Sequence, residues 1–339
     1  MASSTTKNSD AIRTLSSEIR SRLRCPVCRH EIWSSDKDVS CAGCGQSFPV
    51  LHGIPVLINE QNSIFSIEDF IQQRNTFFDL AQPRMIKSIL RRLTPTISKN
   101  VRANANYSEF SRLLLKESES PKVLVLGGSI LGRGMEPLVA SRGIELVETD
   151  VSFGPRTKVI CDGHDIPWAD ESFDGVVVQA VLEHVLDPSR CVEKIHRVLK
   201  KDGLVYAEVP FMQQIHGAPY DFMRFSHLGL RWLFRWFEEI DLGICTGPGM
   251  ALAWSYQYFL CSFTSRFHLL IKLLVSLSAW HLKYFDHFLS KRKSALDAAS
   301  GCYFLGKKAD KPLSGRDMLR YHERIQSRDT TDSSSRRAA

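Results

Sequence analysis

Apolar residues along this chain recur with a period that changes from one stretch to the next. Strand-length apolar runs fall near 122–126, 145–149, 157–161, 174–179 and 203–209, with helix-length segments between them near 133–142 and 188–200. A further run from 232 to 242 predicts a helix end and a sixth strand, and 301–307 (GCYFLGK) predicts a closing strand. This alternation predicts an α/β fold with a doubly wound sheet of seven strands, whose ligands collect at the carboxyl ends of the parallel strands. Residues 60–120 read as a helical connector, with apolar positions at Ile64, Phe65, Phe70, Phe77, Phe78, Leu80, Met85, Ile86, Ile89, Leu90 and Leu93. Most of these are expected in the core, and some over a ligand pocket, without the spacing selecting which. An apolar insertion at 250–299 interrupts the fold before the closing strand. No charge falls in 242–265, but Gly247-Pro248-Gly249 breaks that run, and Lys272 and Lys283 punctuate the remainder of the insertion. A bilayer span needs about 20 predominantly apolar residues, so a helical hairpin over the site or at a homodimer face is expected, with peripheral membrane contact through 250–290 as the alternative.

The first strand–helix–strand unit, KVLVLGGSILGRGMEPLVASRGIELVETD, carries Gly127, Gly128, Gly132 and Gly134 in its turn and ends its second strand on Asp150. Glycine suits such a turn because the backbone takes positive φ and lets a ligand approach closely. The acid is placed to accept both hydroxyls of a ribose. A glycine turn alone is a weak signal, and nicotinamide enzymes share it.

Charge changes the picture little. The formal charge of +7 invites a nucleic-acid partner, yet residues 1–24 contribute +3 and 306–339 contribute +4, leaving a neutral interior. The basicity therefore belongs to polar segments read as mobile tails at 1–20 and 309–339. The start, MASSTTKNSD, lacks the pattern of a secretory signal, so the nine cysteines point to thiols and metal in a reducing cytoplasm.

Four of those cysteines form two knuckles, Cys25-Pro-Val-Cys28 and Cys41-Ala-Gly-Cys44. Two CxxC pairs at this separation present four thiolates to one tetrahedral ion, and a structural zinc is expected. A redox-active thiol set is the alternative the same spacing allows. With Phe48-Pro49 and Gly53-Ile54-Pro55, residues 21–59 resemble the Trm112-like zinc ribbon. That resemblance implies a module that docks on methyltransferase domains, with its metal holding a fold.

Residues 122–245 resemble class I S-adenosylmethionine-dependent methyltransferases of the type 11 kind. The resemblance carries DGHDIPWADESFDGVVVQAVLEHVLDP and implies a Rossmann-like methyltransferase core over 121–249 and 300–308. It implies Asp162 as the acceptor of the adenine amino group, Gly163 as an amide donor to the ring, and Ile166-Pro167-Trp168 as its wall. Gln179, Leu182, Glu183 and His184 match the segment lining the methionine end. Two departures stand out: Val125 occupies the position of the family's usual acid, and the glycine loop is one residue longer. Glu148 or a backbone carbonyl is left to hold the methionine ammonium.

After the fifth strand, PFMQQIHGAPYDFMRFSH gathers Gln213, Gln214, His216, Tyr220, Asp221 and Arg224, candidates for the acceptor site. Pro219 to Phe225 resembles a Pro-x-Asp-aromatic-x-Arg-aromatic signature of methyltransferases in polysaccharide or lipid-linked sugar pathways. An ion pair bracing the loop is the plainer reading of Asp221 and Arg224. His216 or His184 is placed to take a proton from a hydroxyl acceptor. The expected function is transfer of a methyl group from S-adenosylmethionine to a small or lipid-linked acceptor, a sugar hydroxyl among them. The alternatives are an RNA methyltransferase using the basic tails and a non-catalytic scaffold using the zinc ribbon.

Overall fold

The computed structural model of the chain describes residues 15–35, 38–77, 95–264 and 266–323. Phe78, Leu80, Met85, Ile86, Ile89, Leu90 and Leu93, and the ends at 1–14 and 324–339, lie outside the described residues.

Order begins earlier than the sequence suggests. Ser16 caps a short helix, α1 (Ser17–Ser21), through its hydroxyl, and buries Ile19 completely. The carbonyl of Ile19 accepts a hydrogen bond from Trp168 Nε1 at 3.2 Å, and the Trp168 ring lies edge-on to Phe173, wholly buried. Trp168 is therefore a core residue that fastens the amino-terminal segment, not a wall of the ligand pocket.

Four short strands come next: β1 (Ile32–Ser34), β2 (Asp38–Cys41), β3 (Ser47–Leu51) and β4 (Ile54–Leu57). They pair antiparallel in turn. All four residues of β4 are buried, because this strand also joins the main sheet. Beyond α2 (Ile67–Ile71) and α3 (Ala103–Glu117) come the parallel strands β5 (Lys122–Leu126), β6 (Glu145–Asp150), β7 (Val159–Cys161), β8 (Phe173–Gln179) and β9 (Leu199–Pro210). α4 (Glu136–Ala140) and α5 (Pro188–Val198) connect them. β4 pairs parallel to β7, Val56 opposite Ile160 and Leu57 opposite Cys161. The sheet therefore runs β1-β2-β3-β4-β7-β6-β5-β8-β9-β11-β10, eleven strands among the described residues in place of seven. Its far edge is antiparallel, formed by β10 (Phe237–Thr246) and β11 (Gly301–Lys308) after α6 (His227–Leu233). The strand order reverses at β5, which opens a crevice beyond the carboxyl ends of β5 and β8.

The insertion is three helices, α7 (Pro248–Cys261), α8 (His268–Ala279) and α9 (Leu282–Leu289), instead of a hairpin. Among the described residues no helix is long and apolar enough to cross a membrane. Residues 315–323, read from sequence as part of a flexible tail, are helical, started by reciprocal hydrogen bonds between Ser314 and Asp317.

Trp168→Ala is expected to cost about 3–5 kcal/mol in a denaturant melt, because no smaller side chain fills the space between α1 and β8. A change within about 0.5 kcal/mol, the size of a surface substitution, would place the ring outside the core.

Candidate functional site

The crevice at the reversal holds about 740 Å³ of empty space, its open mouth included. One wall is built from strand ends: Leu126 closing β5 and Gly127 after it, Thr149 and Asp150 of β6, Cys161 closing β7 and Asp162 after it. Ile64, Phe65 and Phe77 from the connector and Val181, Val185 and Leu186 after β8 supply apolar cover. Gly127 sits at φ +72°, and a Cβ there would meet Val181 Cγ2 at 2.4 Å, so the turn needs glycine twice over.

Two buried carboxylates end the polar wall. Asp150 accepts the amides of Ser129 at 3.0 Å and Ser152 at 2.9 Å, and burial raises its pKa. Asp162 accepts the hydroxyl of Ser63 at 2.6 Å and both the amide and Nδ1–H of His164, at 3.0 Å and 2.6 Å. Burial pushes the Asp162 carboxyl up, but the His164 contacts outweigh it and hold the pKa below the ordinary value. Ser63 belongs to the segment leaving β4. That segment is clamped nearby, where Asn59 and Asn62 both donate to Asp165 Oδ2, at 2.9 Å and 2.7 Å.

Gly163 and His184 also line the crevice, whereas Gly128, Gly132, Gln179 and Leu182 are not among its lining residues. Val125 faces a packed cluster with Tyr107, Phe110 and Met135, which leaves no room for an acid. Glu148 pairs with Arg156 and lies 3.4 Å from Lys158 Nζ, so its charge is already matched. The buried acid in this region is Glu208, which the sequence reading passed over. It sits directly across from Gln179 in the sheet and accepts from Gln179 Nε2 at 2.7 Å, Asn100 Nδ2 at 2.9 Å and Tyr206 Oη at 2.5 Å. Gln179 Oε1 is buried without a donor among the described residues, and a Cβ on Gly132 would lie 2.1 Å from it.

The loop after β9 folds over the other side of His184. Asp221 accepts the amides of His216 at 2.7 Å and Gly217 at 3.3 Å, and pairs with Arg224. Arg224 also donates to the carbonyls of Gln213 and Gln214, at 2.7 Å and 3.0 Å. These two charges are thus engaged in shaping the loop. Tyr220 packs its ring on Phe65, while its carbonyl accepts His184 Nδ1–H. Gln214 Nε2 donates to Ser255 Oγ at 3.2 Å and Tyr258 Oη to the Ile215 carbonyl at 2.6 Å, which ties the loop to α7. Burial lowers the His184 pKa. Burial also acts to lower that of His216, but the Glu183 carboxylate reverses the sign and leaves it raised.

The four cysteine sulfurs converge on one point. Cys25 Sγ lies 3.7 Å from Cys44 Sγ and Cys28 Sγ 3.4 Å from Cys41 Sγ, against about 3.8 Å for sulfurs around a tetrahedral zinc. Backbone amides of Val27 and Cys28 point at Cys25, and those of Gly43 and Cys44 at Cys41. The donor set fits zinc.

Residues 132–207 match the family model described as a methyltransferase domain. The match supports a class I, S-adenosylmethionine-dependent methyltransferase core. An uncharacterized protein of Methanocaldococcus jannaschii is similar at 27% identity over 94 residues, 28% of this chain, and the match spans 40% of that relative's length. Among solved structures, the complex of the Haloferax volcanii Trm112 methyltransferase activator with a methyltransferase is similar at 18% identity and a TM-score of 0.38, over 60% of this chain and 91% of the other. A sarcosine dimethylglycine methyltransferase of Galdieria sulphuraria is similar at 15% identity and 0.38, over 62% and 85%. At such identities and scores no substrate or partner passes from one protein to another.

Because burial is outweighed by Arg224 and the two amides, the Asp221 carboxyl is held well below its usual range. The stability it contributes is whole above the unfolded value of about 3.9 and is lost as pH falls through the depressed folded value. Asp221→Asn is expected to cost about 3 kcal/mol near neutral pH, since it leaves Arg224 facing no counter-charge, and the deficit is expected to shrink below about pH 4. A deficit in urea midpoint that is the same in acid and at neutrality would contradict this.

Proposed function

We propose that the chain is an S-adenosylmethionine-dependent methyltransferase that acts on a hydroxyl of a small or lipid-linked acceptor. The observation that carries the reading is the pair of buried carboxylates, Asp150 and Asp162, at adjacent strand ends beside a turn where only glycine fits at Gly127. Asp150 is placed to take ribose hydroxyls. Asp162 and the amide of Gly163 are placed to read the adenine edge, between Phe65 and Leu186. Gln179, with its orphaned Oε1 beside Gly132 and its amide nitrogen anchored on Glu208, would receive the methionine ammonium and so stand in for the acid missing at Val125. Bound there, the sulfonium supplies a methyl group already attached to a good leaving group. The chain then needs to orient the acceptor oxygen and exclude water. As the oxygen–carbon bond forms and the carbon–sulfur bond breaks, the acceptor's proton passes to an imidazole, His184 or His216, and neutral S-adenosylhomocysteine departs. The four thiolates of Cys25, Cys28, Cys41 and Cys44 hold a structural zinc, with no coordination position left for substrate.

A lipid-linked acceptor is favoured by the surroundings of the acceptor loop. The helices tied to it leave large apolar side chains in solvent, with Leu269 83% and Phe263 74% exposed, alongside Phe259, Leu277, Phe285 and Phe288. Arg266, Lys272, Lys291, Arg292 and Lys293 are exposed around them, against one exposed acid, Asp297, while Asp286 is buried as a cap on the amides of Gly249 and Met250. Apolar side chains with a predominantly cationic rim fit the interface of an anionic bilayer.

Calorimetry with S-adenosylhomocysteine tests the donor site. Binding is expected in the native chain, and Asp150→Ala with Asp162→Ala is expected to weaken it by about a hundredfold, two charged hydrogen-bonding sites being lost. Unchanged binding would remove the assignment, and a zinc-replete chain that binds no nucleoside would leave a scaffold protein.

Flotation with vesicles tests the surface. Co-flotation is expected with vesicles containing phosphatidylserine, reduced at high salt and abolished by Phe263→Ser with Leu269→Ser. A chain that stays unbound, or elutes as a dimer through the same residues, overturns the membrane reading.

A further inference from the structure

Glu183 is 0% exposed, and neither of its carboxylate oxygens has a hydrogen-bond donor among the described residues. Two ring nitrogens face it instead: His184 Nε2 and His216 Nε2 each lie 3.7 Å from Oε1. The His184 Nδ1 bonds to the Tyr220 carbonyl, which can only accept, so Nδ1 carries the proton and the neutral ring turns a lone pair on Nε2 toward Glu183. His216 Nδ1 lies 3.4 Å from the Gln214 carbonyl and from Asp221 Oδ2, and equally 3.4 Å from Arg224 Nη2, which can only donate. Three side chains of metal-ligating type therefore converge, their ligand atoms all within 4.8 Å of one another. A buried carboxylate without a hydrogen bond costs free energy unless a cation lies against it.

We propose that Glu183, His184 and His216 form a binding site for a divalent first-row transition metal. Two imidazoles and one carboxylate are the donor set such ions take with coordination positions left open. Donors about 2.1 Å from a tetrahedral ion stand about 3.4 Å apart; the two gaps to Glu183 are 3.7 Å, and the two rings, within 4.8 Å of each other, would close further onto an ion. The outer partners are those a metal site requires, because each ligating ring is oriented through its other nitrogen. The Gly217 position adds a constraint: a Cβ there would meet His184 Cε1 at 2.5 Å, so the loop that brings His216 in can approach only as glycine. His184 also lines the nucleoside crevice, which puts the open positions on the acceptor side. An ion there would bind the acceptor oxygen and lower its pKa, and the proton would pass to solvent water, because both imidazoles would then serve as ligands. That use rests on the methyltransferase reading; the binding of the ion does not.

The test is a titration of the full-length, zinc-replete chain with Mn(II), followed by the electron paramagnetic resonance of the free ion, and in parallel with Co(II), followed by its visible bands. Mn(II) prefers nitrogen and oxygen to thiolate, which keeps the four cysteines silent. One saturable site per chain is expected. His216→Ala and the near-isosteric Glu183→Gln are each expected to weaken it by more than about tenfold, the lower end of what outer-shell changes alone produce. Asp150→Ala with Asp162→Ala should leave it unchanged. Absence of a saturable site for both ions, or equal affinity in Glu183→Gln, overturns the proposal. S-adenosylhomocysteine calorimetry on the same samples separates the two readings. Nucleoside binding without metal binding defeats the metal site alone, and metal binding without nucleoside binding defeats the donor site alone.

Discussion

The parallel pairing of β4 with β7 is the constraint on which the rest of the structure depends. It converts a cysteine module that would otherwise hang on a linker into the edge of the central sheet. Once Leu57 is fixed opposite Cys161, the next residues have nowhere to go but across the strand ends, which carries Ser63 onto Asp162 and Phe65 over the crevice. Ordering such a segment costs roughly 1–2 kcal/mol per residue, and the clamp of Asn59 and Asn62 on Asp165 offsets part of that. A metal on the four thiolates would act on the site at a distance, because metal-binding free energy in so small a module is folding free energy.

The buried acids show how differently one fold can settle the same electrostatic problem. Asp150 is met by backbone amides, Asp162 by a hydroxyl and an imidazole, and Glu208 by three side-chain donors. Each solution uses groups supplied by the chain. Glu183, equally buried, accepts no hydrogen bond among the described residues and faces two imidazole nitrogens at 3.7 Å. A protein that satisfies three buried carboxylates does not leave a fourth unmatched through lack of donors, since Arg224 lies close by and is turned instead onto Asp221.

The parallel strands and the glycine turn were legible because period and residue type are local properties. The predicted strand at 174–179 and the observed Phe173–Gln179 differ by one residue. Asp150 and Asp162 were legible because each ends a strand. The features that could not be read depend on contacts distant in sequence. The tryptophan of Ile166-Pro167-Trp168 was expected against the ligand, yet it packs under Ile19, almost 150 residues earlier. The strand count rose to eleven because a strand's partner is not encoded in its own alternation. The uninterrupted burial of Ile54 to Leu57 was the available signal, since a short strand apolar at every position belongs inside a sheet. Glu208 was hidden by its place in an apolar strand, where an acid of that kind calls for an explanation.

The acceptor loop joins these parts. Its residues are held from below by Asp221 and Arg224, from one side by Phe65 against Tyr220, and from the other by Ser255 and Tyr258 of α7. α7 in turn is fixed by Asp286, whose carboxylate caps its first amides, and a Cβ at Gly249 would meet the Leu282 carbonyl at 2.2 Å. The anchored faces of α7 and α9 are therefore tightly specified, although the opposite faces are apolar and open to solvent. Loose packing does not explain that exposure, because the helices are pinned by buried polar contacts that a merely collapsed segment would lack. The apolar surface is presented on a rigid support next to the loop that carries His216.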